Sequence, residues 1–228
     1  MKIDSSYVAF HRLADGTKIR IRLLTAADRE KLLDGFRRLS PETRYRRFFS
    51  PMPRLSDAML RRLMQVDGTH RIAIIAEGPT PDGGQDEIVG VARFIRSSDS
   101  VDTAEASVAV IDALQRRGIG RLLLTALVAA ARERGITKFR AHVLPDNEPM
   151  KLLLRALDDH ATPRTEDGLR VYELTLPGPS PEAVTGDPMY RLLKLAAEGL
   201  EMVFKALSLS GRSRHSRHTK PKASDSEK

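Results

Sequence analysis

The chain has 228 residues, which is long enough for one sizeable domain with an appendage. Its net charge is +8. It contains no cysteine, which excludes disulfides, thiolate metal sites and a cysteine-bound acyl intermediate, and its six histidines are too scattered to predict a metal site. Because no apolar run reaches about eighteen residues and the first residues lack an apolar signal core, we expect a cytoplasmic protein without a membrane span.

The first half of the chain predicts one strand, three helices and then a pair of strands. Residues 18–24 alternate apolar and basic side chains after an Asp-Gly turn, which is typical of a half-buried first strand. Three helices are expected between residues 25 and 66, each beginning at a Ser or Thr cap. The caps are Thr25, Ser40 and Ser56, and the paired strands are residues 71–76 and 87–96.

The second half of the chain predicts strands that alternate with helices. A strand at residues 103–111 leads into a turn with two glycines and a long helix, after which residues 138–144 form another strand. A helix follows Asn147, residues 169–176 form the last strand, and a weaker strand is expected near 161–165. This order predicts a mixed α/β fold, in which helices flank both faces of a mixed β-sheet.

The second predicted helix contains the cluster Arg44-Tyr-Arg-Arg-Phe-Phe49, which permits two interpretations. The helical spacing of Tyr45, Phe48 and Phe49 favours an amphipathic helix that packs these rings inward and leaves the arginines in water. The alternative is that the cluster forms the rim of a substrate site.

Residues 108–124 combine the end of an apolar strand, a turn with two glycines and the start of the long helix. The first turn of a helix leaves N–H groups unpaired at the positive end of the helix dipole, and Gly118 and Gly120 place no side chain in front of them. This arrangement predicts a binding site for a phosphate or pyrophosphate, and the alternative is a strand–turn–helix connection with no ligand. The positive side chains of the turn are Arg116, Arg117 and Arg121.

The glycine turn lacks the Gly-Lys-Ser/Thr ending of a Walker loop and the third glycine of a dinucleotide-binding fingerprint. Its sequence, Gln115-Arg-Arg-Gly118-Ile-Gly120, resembles the acetyl-CoA signature of the GCN5-related N-acetyltransferase (GNAT) family. The family's topology corresponds to residues 17–176, and residues 40–50 are similar to bacterial members near the protein-lysine acetyltransferase branch.

This resemblance implies acetyl-CoA as the co-substrate, with its pyrophosphate at the glycine turn and its pantetheine arm beside the preceding strand. The Val110 amide would then donate a hydrogen bond to the oxygen that gains charge during transfer. Asn147 matches a family asparagine that reaches the cofactor arm, although it could equally be a helix cap with no ligand. The residues expected to bind acetyl-CoA are Val108, Ala109, Val110, Gln115, Arg116, Arg117, Gly118, Ile119, Gly120, Arg121 and Asn147.

Glu105 is the candidate general base. A free lysine amine has a pKa of about 10.4 and is mostly charged at neutral pH, so acetyl transfer to it needs a base. Glu105 lies in a strand of small apolar residues, where desolvation would make it a stronger base, and strand alternation places it on one face with Ser107 and Ala109. The resemblance implies the same role, since the bacterial branch has a glutamate at this place. The alternative is a solvated carboxylate at a frayed strand end.

The sequence departs from the family pattern after the fifth strand. Many members have a tyrosine in the helix there to protonate the leaving thiolate, but none occurs between Asn147 and His160. Tyr172, Tyr45 or water could take its place. The usual Gly-Phe after this helix is replaced by Leu157-Asp-Asp-His160.

Beyond a catalytic domain at residues 1–176, the sequence predicts three further segments. Prolines make residues 177–186 a linker, residues 187–209 have the spacing of an amphipathic helix, and residues 210–228 form a disordered basic tail. Mixed charges on the helix favour docking on protein, either on this domain or in a homodimer through residues 188–208. The tail is expected to stay solvated or to contact an acidic partner.

These observations predict an acetyl-CoA-dependent N-acetyltransferase that uses no metal. It would transfer the acetyl group directly to a primary amine, on a protein lysine or a small molecule, with Glu105 as the base. The alternative is a non-catalytic acyl-CoA-binding sensor whose basic tail contacts a partner. Glu105 distinguishes the two, because a sensor has no need of a carboxylate beside the thioester.

Overall fold

The structure is a computed structural model that describes residues 3–178, and this part of the chain contains eight strands and five α-helices. The predicted segments 187–209 and 210–228, and residues 179–186 of the predicted linker, lie outside the described residues. The strands are β1 (Val8–Arg12), β2 (Lys18–Leu23), β3 (Arg71–Gly78), β4 (Glu87–Arg96), β5 (Thr103–Val110), β6 (Lys138–Val143), β7 (Arg164–Glu166) and β8 (Leu169–Thr175). The helices are α1 (Arg29–Arg37), α2 (Pro41–Phe48), α3 (Asp57–Met64), α4 (Ile119–Arg132) and α5 (Glu148–Arg155).

All eight strands form one mixed sheet in the order β1-β2-β3-β4-β5-β6-β8-β7, in which only β5 and β6 are parallel neighbours. Alternate residues of β3 enter two separate apolar clusters. Ile74 packs with Leu127 of α4 on one face, whereas Ile75 packs with Leu32 of α1 and Leu60 of α3 on the other. The predicted mixed α/β fold with helices on both faces is therefore confirmed.

All three predicted caps, Thr25, Ser40 and Ser56, are N-cap residues in the structure. The Ser40 hydroxyl accepts a hydrogen bond from the Thr43 amide at 3.0 Å, and the Ser56 hydroxyl accepts one from the Met59 amide at 3.2 Å. Thr25 caps its turn together with the predicted acid at the third position, since its amide and hydroxyl both donate to the Asp28 carboxylate. A short 3₁₀ turn at residues 26–28 then precedes α1, which starts later than the sequence predicted.

Strand β1 was not predicted from the sequence. It pairs with β2 as an antiparallel hairpin, and its large apolar side chains point outward: Phe10 is 76% exposed and Val8 is 47% exposed. Strands are predicted from alternating apolar residues that form a buried face. In β1 the large apolar residues are on the exposed face, so the sequence pattern does not indicate a strand. The first predicted strand is therefore the second strand of the structure.

The parallel pair β5–β6 is fastened at its start and separates further along. Its start is fixed by Thr137, which donates its amide to the Asp102 carbonyl at 2.7 Å and its hydroxyl to the Asp102 carboxylate at 2.9 Å. Three residue pairs follow, of which Glu105 with Arg140 is the last. Beyond that pair the described strands have no further pairing with each other, which leaves one side of β5 open as far as Val110.

Candidate active site

A cleft of about 310 Å³ lies where β5 and β6 separate. It is lined by residues from both faces of the sheet, so it connects the side covered by α2 and α3 with the side covered by α4 and α5. The first side contributes Arg46, Arg47, Phe49, Met59, Arg62 and Arg93, and the second contributes Leu124, Asn147, Met150 and Leu154. Between them lie Glu105, Ala106, Ser107, Val108, His142 and Val143.

The backbone of β5 has one side in the sheet and the other at the cleft. The amide of Ile111 donates to a β4 carbonyl at 2.9 Å, so the odd-numbered residues, Ala109 among them, direct their backbone groups toward β4. Even-numbered residues direct their backbone groups to the opposite side, where β6 no longer pairs with β5. The backbone groups of Val108 and the amide of Val110 therefore lie on this open side. The Val110 carbonyl accepts a hydrogen bond from Gln115 at 3.0 Å. The open backbone groups of β5 therefore come from alternate residues.

The turn between β5 and α4 contains two residues with left-handed backbone, Arg116 with φ of 59° and Gly118 with φ of 92°. Gly118 caps α4, and any side chain there would be strained by this conformation. At Gly120 a Cβ atom would make ordinary contacts, 3.6 Å from Leu153 and 4.0 Å from Val110. The fold thus requires glycine at 118 but not at 120, which fits a site where a ligand approaches the helix N-terminus closely.

Hydrogen bonds tie the glycine turn to α2. Gln115 donates to the Thr43 hydroxyl at 3.1 Å, and the Asp112 carboxylate accepts from the Ser40 amide at 2.8 Å and from the Thr43 hydroxyl at 2.7 Å. Burial raises the pKa of Asp112, but these hydrogen bonds outweigh it and hold the pKa below its ordinary value. Because the same atoms fix the start of α2, they also position the cleft residues of that helix, Arg47 among them.

The three arginines of the turn differ in their surroundings. Arg116 and Arg121 are exposed and make no ion pair within residues 3–178. Arg117 instead directs its guanidinium to the carboxylate of Asp15 and, at 3.0 Å, to the hydroxyl of Thr17. Arg116 and Arg121 are therefore the turn arginines whose charges are available to an anionic ligand.

Ile119 and Asn147 both have structural roles. The Ile119 side chain is buried in the core, so this residue can offer a ligand only its backbone. The Asn147 side-chain oxygen accepts a hydrogen bond from the Met150 amide at 3.3 Å, which makes Asn147 the cap of α5. Asn147 also lines the cleft, so capping and ligand contact are compatible.

Glu105 lines the cleft, but its environment differs from the expected one. The side chain is exposed, so the prediction that apolar neighbours desolvate it is wrong for the protein alone. Its neighbours on β5 point to the opposite face, as strand alternation requires, while Ile95 lies directly across on β4. Glu105 is well placed to meet a ligand in the cleft, and any desolvation must come from that ligand.

Two arginines line the cleft beside Glu105: Arg47 belongs to the cluster that the sequence suggested as a substrate rim, whereas sequence reasoning missed Arg93. Arg93 is 7% exposed, and Arg47 is half-buried with its guanidinium 5.0 Å from the centre of the Phe48 ring. Burial, together with the charge of Arg93, lowers the pKa of Arg47 to about 10. Burial and the charges of nearby arginines also lower the pKa of Arg93. A signal for Arg93 was present: one charge in the otherwise apolar centre of β4.

The two interpretations of the aromatic cluster on α2 are each correct in part. Phe48 packs against Phe36, with ring centres 6.0 Å apart, as an inward-facing residue should. Tyr45 and Phe49 are exposed, so the prediction that all three rings point inward is wrong. Phe49 and Arg47 line the cleft, which is what a substrate rim requires.

Neither tyrosine considered as a general acid lines the cleft. Tyr172 is buried in the core next to Ala141 of β6, and Tyr45 is exposed on the outer side of α2. Within residues 3–178 the cleft is lined by no tyrosine at all.

The sequence signature of the acetyltransferase (GNAT) family matches residues 36–158, more than half of the chain. The chain belongs to the GNAT family. The resemblance inferred from the glycine turn is thereby confirmed. The predicted enzyme class, acyltransferase, is confirmed as well. The GNAT domain of the S. lividans protein PAT has a similar structure, with 34% identity, a TM-score of 0.66 and coverage of 76% of this chain and 99% of that one.

Sequence relatives support the same family. Acetyltransferase Pat of Mycolicibacterium smegmatis is 34% identical over 138 residues, and an acetyltransferase of Pseudomonas aeruginosa is 30% identical over 145 residues. The alignment covers 60% of this chain in the first case and 64% in the second. It spans 40% of the Mycolicibacterium protein and 76% of the Pseudomonas protein, so this GNAT chain corresponds to less than half of the former.

A further solved structure, an acetyltransferase-like protein from Salmonella typhimurium, contains acetyl-CoA. It shares the fold with a TM-score of 0.52 at 19% identity, covering 72% of this chain and 97% of that one. Among residues 3–178 no helix is long and apolar enough to cross a membrane, and no group of three His, Cys, Asp or Glu side chains is arranged to hold a metal ion.

Proposed function

We propose that this chain is an acetyl-CoA-dependent N-acetyltransferase that acts by direct transfer to a primary amine, with Glu105 as the general base. The observation that carries the proposal is the course of β5, whose open edge runs from Glu105 in the cleft to the glycine turn at the N-terminus of α4. A thioester arm on that edge and a pyrophosphate at that turn would bring the reactive end of the ligand to Glu105.

The binding assignments follow from which groups are available. The backbone of Val108 and the Val110 amide face the open side of β5. No side chain of Gly118 or Gly120 covers the amides at the start of α4. Exposed Arg116 and Arg121 supply positive charge beside those amides, and the Asn147 side chain reaches the cleft from α5. In this scheme Gln115 and Arg117 hold the turn in shape through the bonds described above.

The residues of this chain perform two tasks in the transfer. Acetyl-CoA supplies an acetyl thioester, and transfer forms a C–N bond to the amine, breaks the C–S bond and moves one proton from nitrogen toward sulfur. Glu105 accepts the proton from the amine, and the Val110 amide donates a hydrogen bond to the carbonyl oxygen as it gains negative charge. We assign the proton that reaches sulfur to water, because no tyrosine of residues 3–178 lines the cleft.

The experiment is a two-stage assay on the full chain. Calorimetry should first show that acetyl-CoA binds, and a screen of proteins, polyamines and amino acids should then show which amines release free CoA. Binding together with acceptor-dependent release is the expected result. Binding without release to any acceptor would favour the sensor instead, and absence of binding would contradict both.

A further inference from the structure

The cleft carries more positive charge than a site for an amine needs. Arg47, Arg62 and Arg93 line it, and none of them has a carboxylate within 4.0 Å in the described part of the chain. Arg46 differs, since its guanidinium pairs with Glu42 at 2.6 Å. Unbalanced positive charge would repel a protonated amine, so its presence beside the predicted base calls for an explanation.

Arg93 is the most informative of these residues. It lies in the centre of β4, 7% exposed, and one guanidinium nitrogen donates to the Leu63 carbonyl at 3.3 Å. Its Nε atom is buried without a hydrogen-bond partner. Burying a charged side chain without a counter-charge is unfavourable, and proteins usually avoid it unless a ligand or a partner completes the site.

The geometry of the sheet relates Arg93 to Glu105. Arg93 pairs with Ser107 across the β4–β5 ladder, and Glu105 pairs with Ile95, so the two charged residues occupy diagonal positions on one face. Diagonal Cβ atoms in an antiparallel pair are roughly 7–8 Å apart, and no direct ion pair between Arg93 and Glu105 occurs. Arg47 reaches the same cleft from α2.

We propose that the acceptor of this acyltransferase carries a carboxylate, which Arg93 and Arg47 bind while the acceptor's amine lies at Glu105. The inference rests on the proposed function and specifies its substrate class. A guanidinium presents paired N–H groups that match the two oxygens of a carboxylate, and this match provides orientation as well as attraction. The carboxylate also supplies the counter-charge that Arg47 and Arg93 lack, which offsets the repulsion between these arginines and the amine.

Two sources of such a carboxylate are compatible with this chemistry. One is the carboxylate of a small amino acid, and the other is an acidic side chain next to a lysine in a peptide. Matched acceptor pairs distinguish them. The small-molecule arm compares lysine with lysine amide, and the peptide arm compares nine-residue peptides that have Asp or Asn beside a central lysine.

The test measures kcat and KM of the full chain with each pair at saturating acetyl-CoA. We expect the carboxylate member of one pair to be preferred by about 10- to 100-fold in kcat/KM, mainly through a lower KM, as for a charge-assisted hydrogen-bonded pair. Arg93→Met and Arg47→Met should each reduce this preference toward unity, and Arg93→Lys should restore part of it. Arg61→Met, on the exposed side of α3, is the control that should keep the preference.

A binding measurement keeps the inference testable without turnover. The same pairs are titrated by calorimetry into the full chain saturated with CoA, and the carboxylate member should bind more tightly in one arm. Equal binding within both pairs, or no binding of any member, would overturn the inference. Failure of the proposed function would appear separately, as wild-type protein that does not bind acetyl-CoA.

Discussion

Two regions of the molecule hold partly or fully buried arginines, but only one of them surrounds its arginines with carboxylates. The first is an ion-pair cluster formed by Arg20, Arg22, Asp28 and Glu77, and the second is the cleft with Arg47 and Arg93. Glu77 is 1% exposed and lies 2.6 Å from both Arg20 and Arg22. Arg22 is also 2.6 Å from Asp28. The cleft arginines have no such partners within the described residues. We infer that the cluster, whose charges are paired, stabilises the fold. We infer that Arg47 and Arg93, whose charges are unpaired, bind a ligand.

Removal of the central carboxylate of the cluster should have the largest effect on stability. Glu77→Gln removes the buried carboxylate that the partly buried Arg20 and Arg22 share, which costs on the order of 3 kcal/mol in the free energy of unfolding. Chemical denaturation of the full chain measures this loss. The control Glu30→Gln, in an exposed ion pair, should cost about 0.5 kcal/mol or less. A Glu77→Gln variant as stable as the wild type would show that charge balance does not hold the cluster together.

Acid should weaken the cluster through Asp28. Burial raises the pKa of Asp28, but hydrogen bonds from Arg22 and Thr25 outweigh it and lower the pKa to about 2. Because this value is below that of an unfolded aspartate, the carboxylate stabilises the fold by about 2 kcal/mol above roughly pH 4 and loses this effect as the pH falls toward 2. The stability difference between wild type and Asp28→Asn should therefore shrink over this range. A difference that stays constant down to pH 2.5 would contradict the assignment.

On the cleft side of the comparison, Gly120→Val tests ligand approach without changing charge. A Cβ atom at 120 meets only ordinary contacts, so the variant should fold, whereas its side chain would stand in front of the first amides of α4. We expect acetyl-CoA affinity to fall by at least about tenfold, which is roughly 1.4 kcal/mol. Gly178→Val, at a glycine with open space around it, is the matched control. Unchanged affinity in folded Gly120→Val protein would remove the turn from the binding site.

The smallest effect, and the one of opposite sign, is expected for Arg93→Met. This change removes a buried charge that has no counter-charge and replaces it with an apolar side chain, so the free energy of unfolding should stay the same or rise by up to about 1 kcal/mol. Arg22→Met in the cluster should instead destabilise the protein. Denaturation curves of the two variants compare the regions directly. If Arg93→Met lowered the free energy of unfolding by more than about 1 kcal/mol, the cleft arginine would be a stabilising residue like those of the cluster, which would contradict the comparison.

The sequence predicted the parts of this molecule that follow hydrophobic periodicity and local turn chemistry. The serine caps of α2 and α3, the bounds of β4 and the glycine turn before α4 agree with the structure because each depends on neighbouring residues. Strand β1 was missed because its outward side chains include Phe10, which reverses the usual pattern.

The way in which the cleft arginines come together depends on contacts between distant parts of the chain. Arg47 and Arg93 line one cleft, and Asp112 and Gln115 help to position α2 there through hydrogen bonds that no local sequence pattern encodes. Arg93 nevertheless gave the same signal as Glu105, a charge within an apolar strand, and the two turn out to line one cleft. The exposure of Glu105 depends on what covers its face of the sheet, which strand periodicity does not reveal.

The pH dependence of the Glu105→Gln variant tests the central claim, that this cleft transfers an acetyl group with Glu105 as the base. With the acceptor found by the screen and saturating acetyl-CoA, turnover of the variant at pH 7 should be on the order of a hundredfold below wild type, while acetyl-CoA affinity stays unchanged. The deficit should narrow as the pH rises toward about 10.4, where a lysine amine loses its proton without help. Turnover of the variant close to that of the wild type at neutral pH would contradict the account.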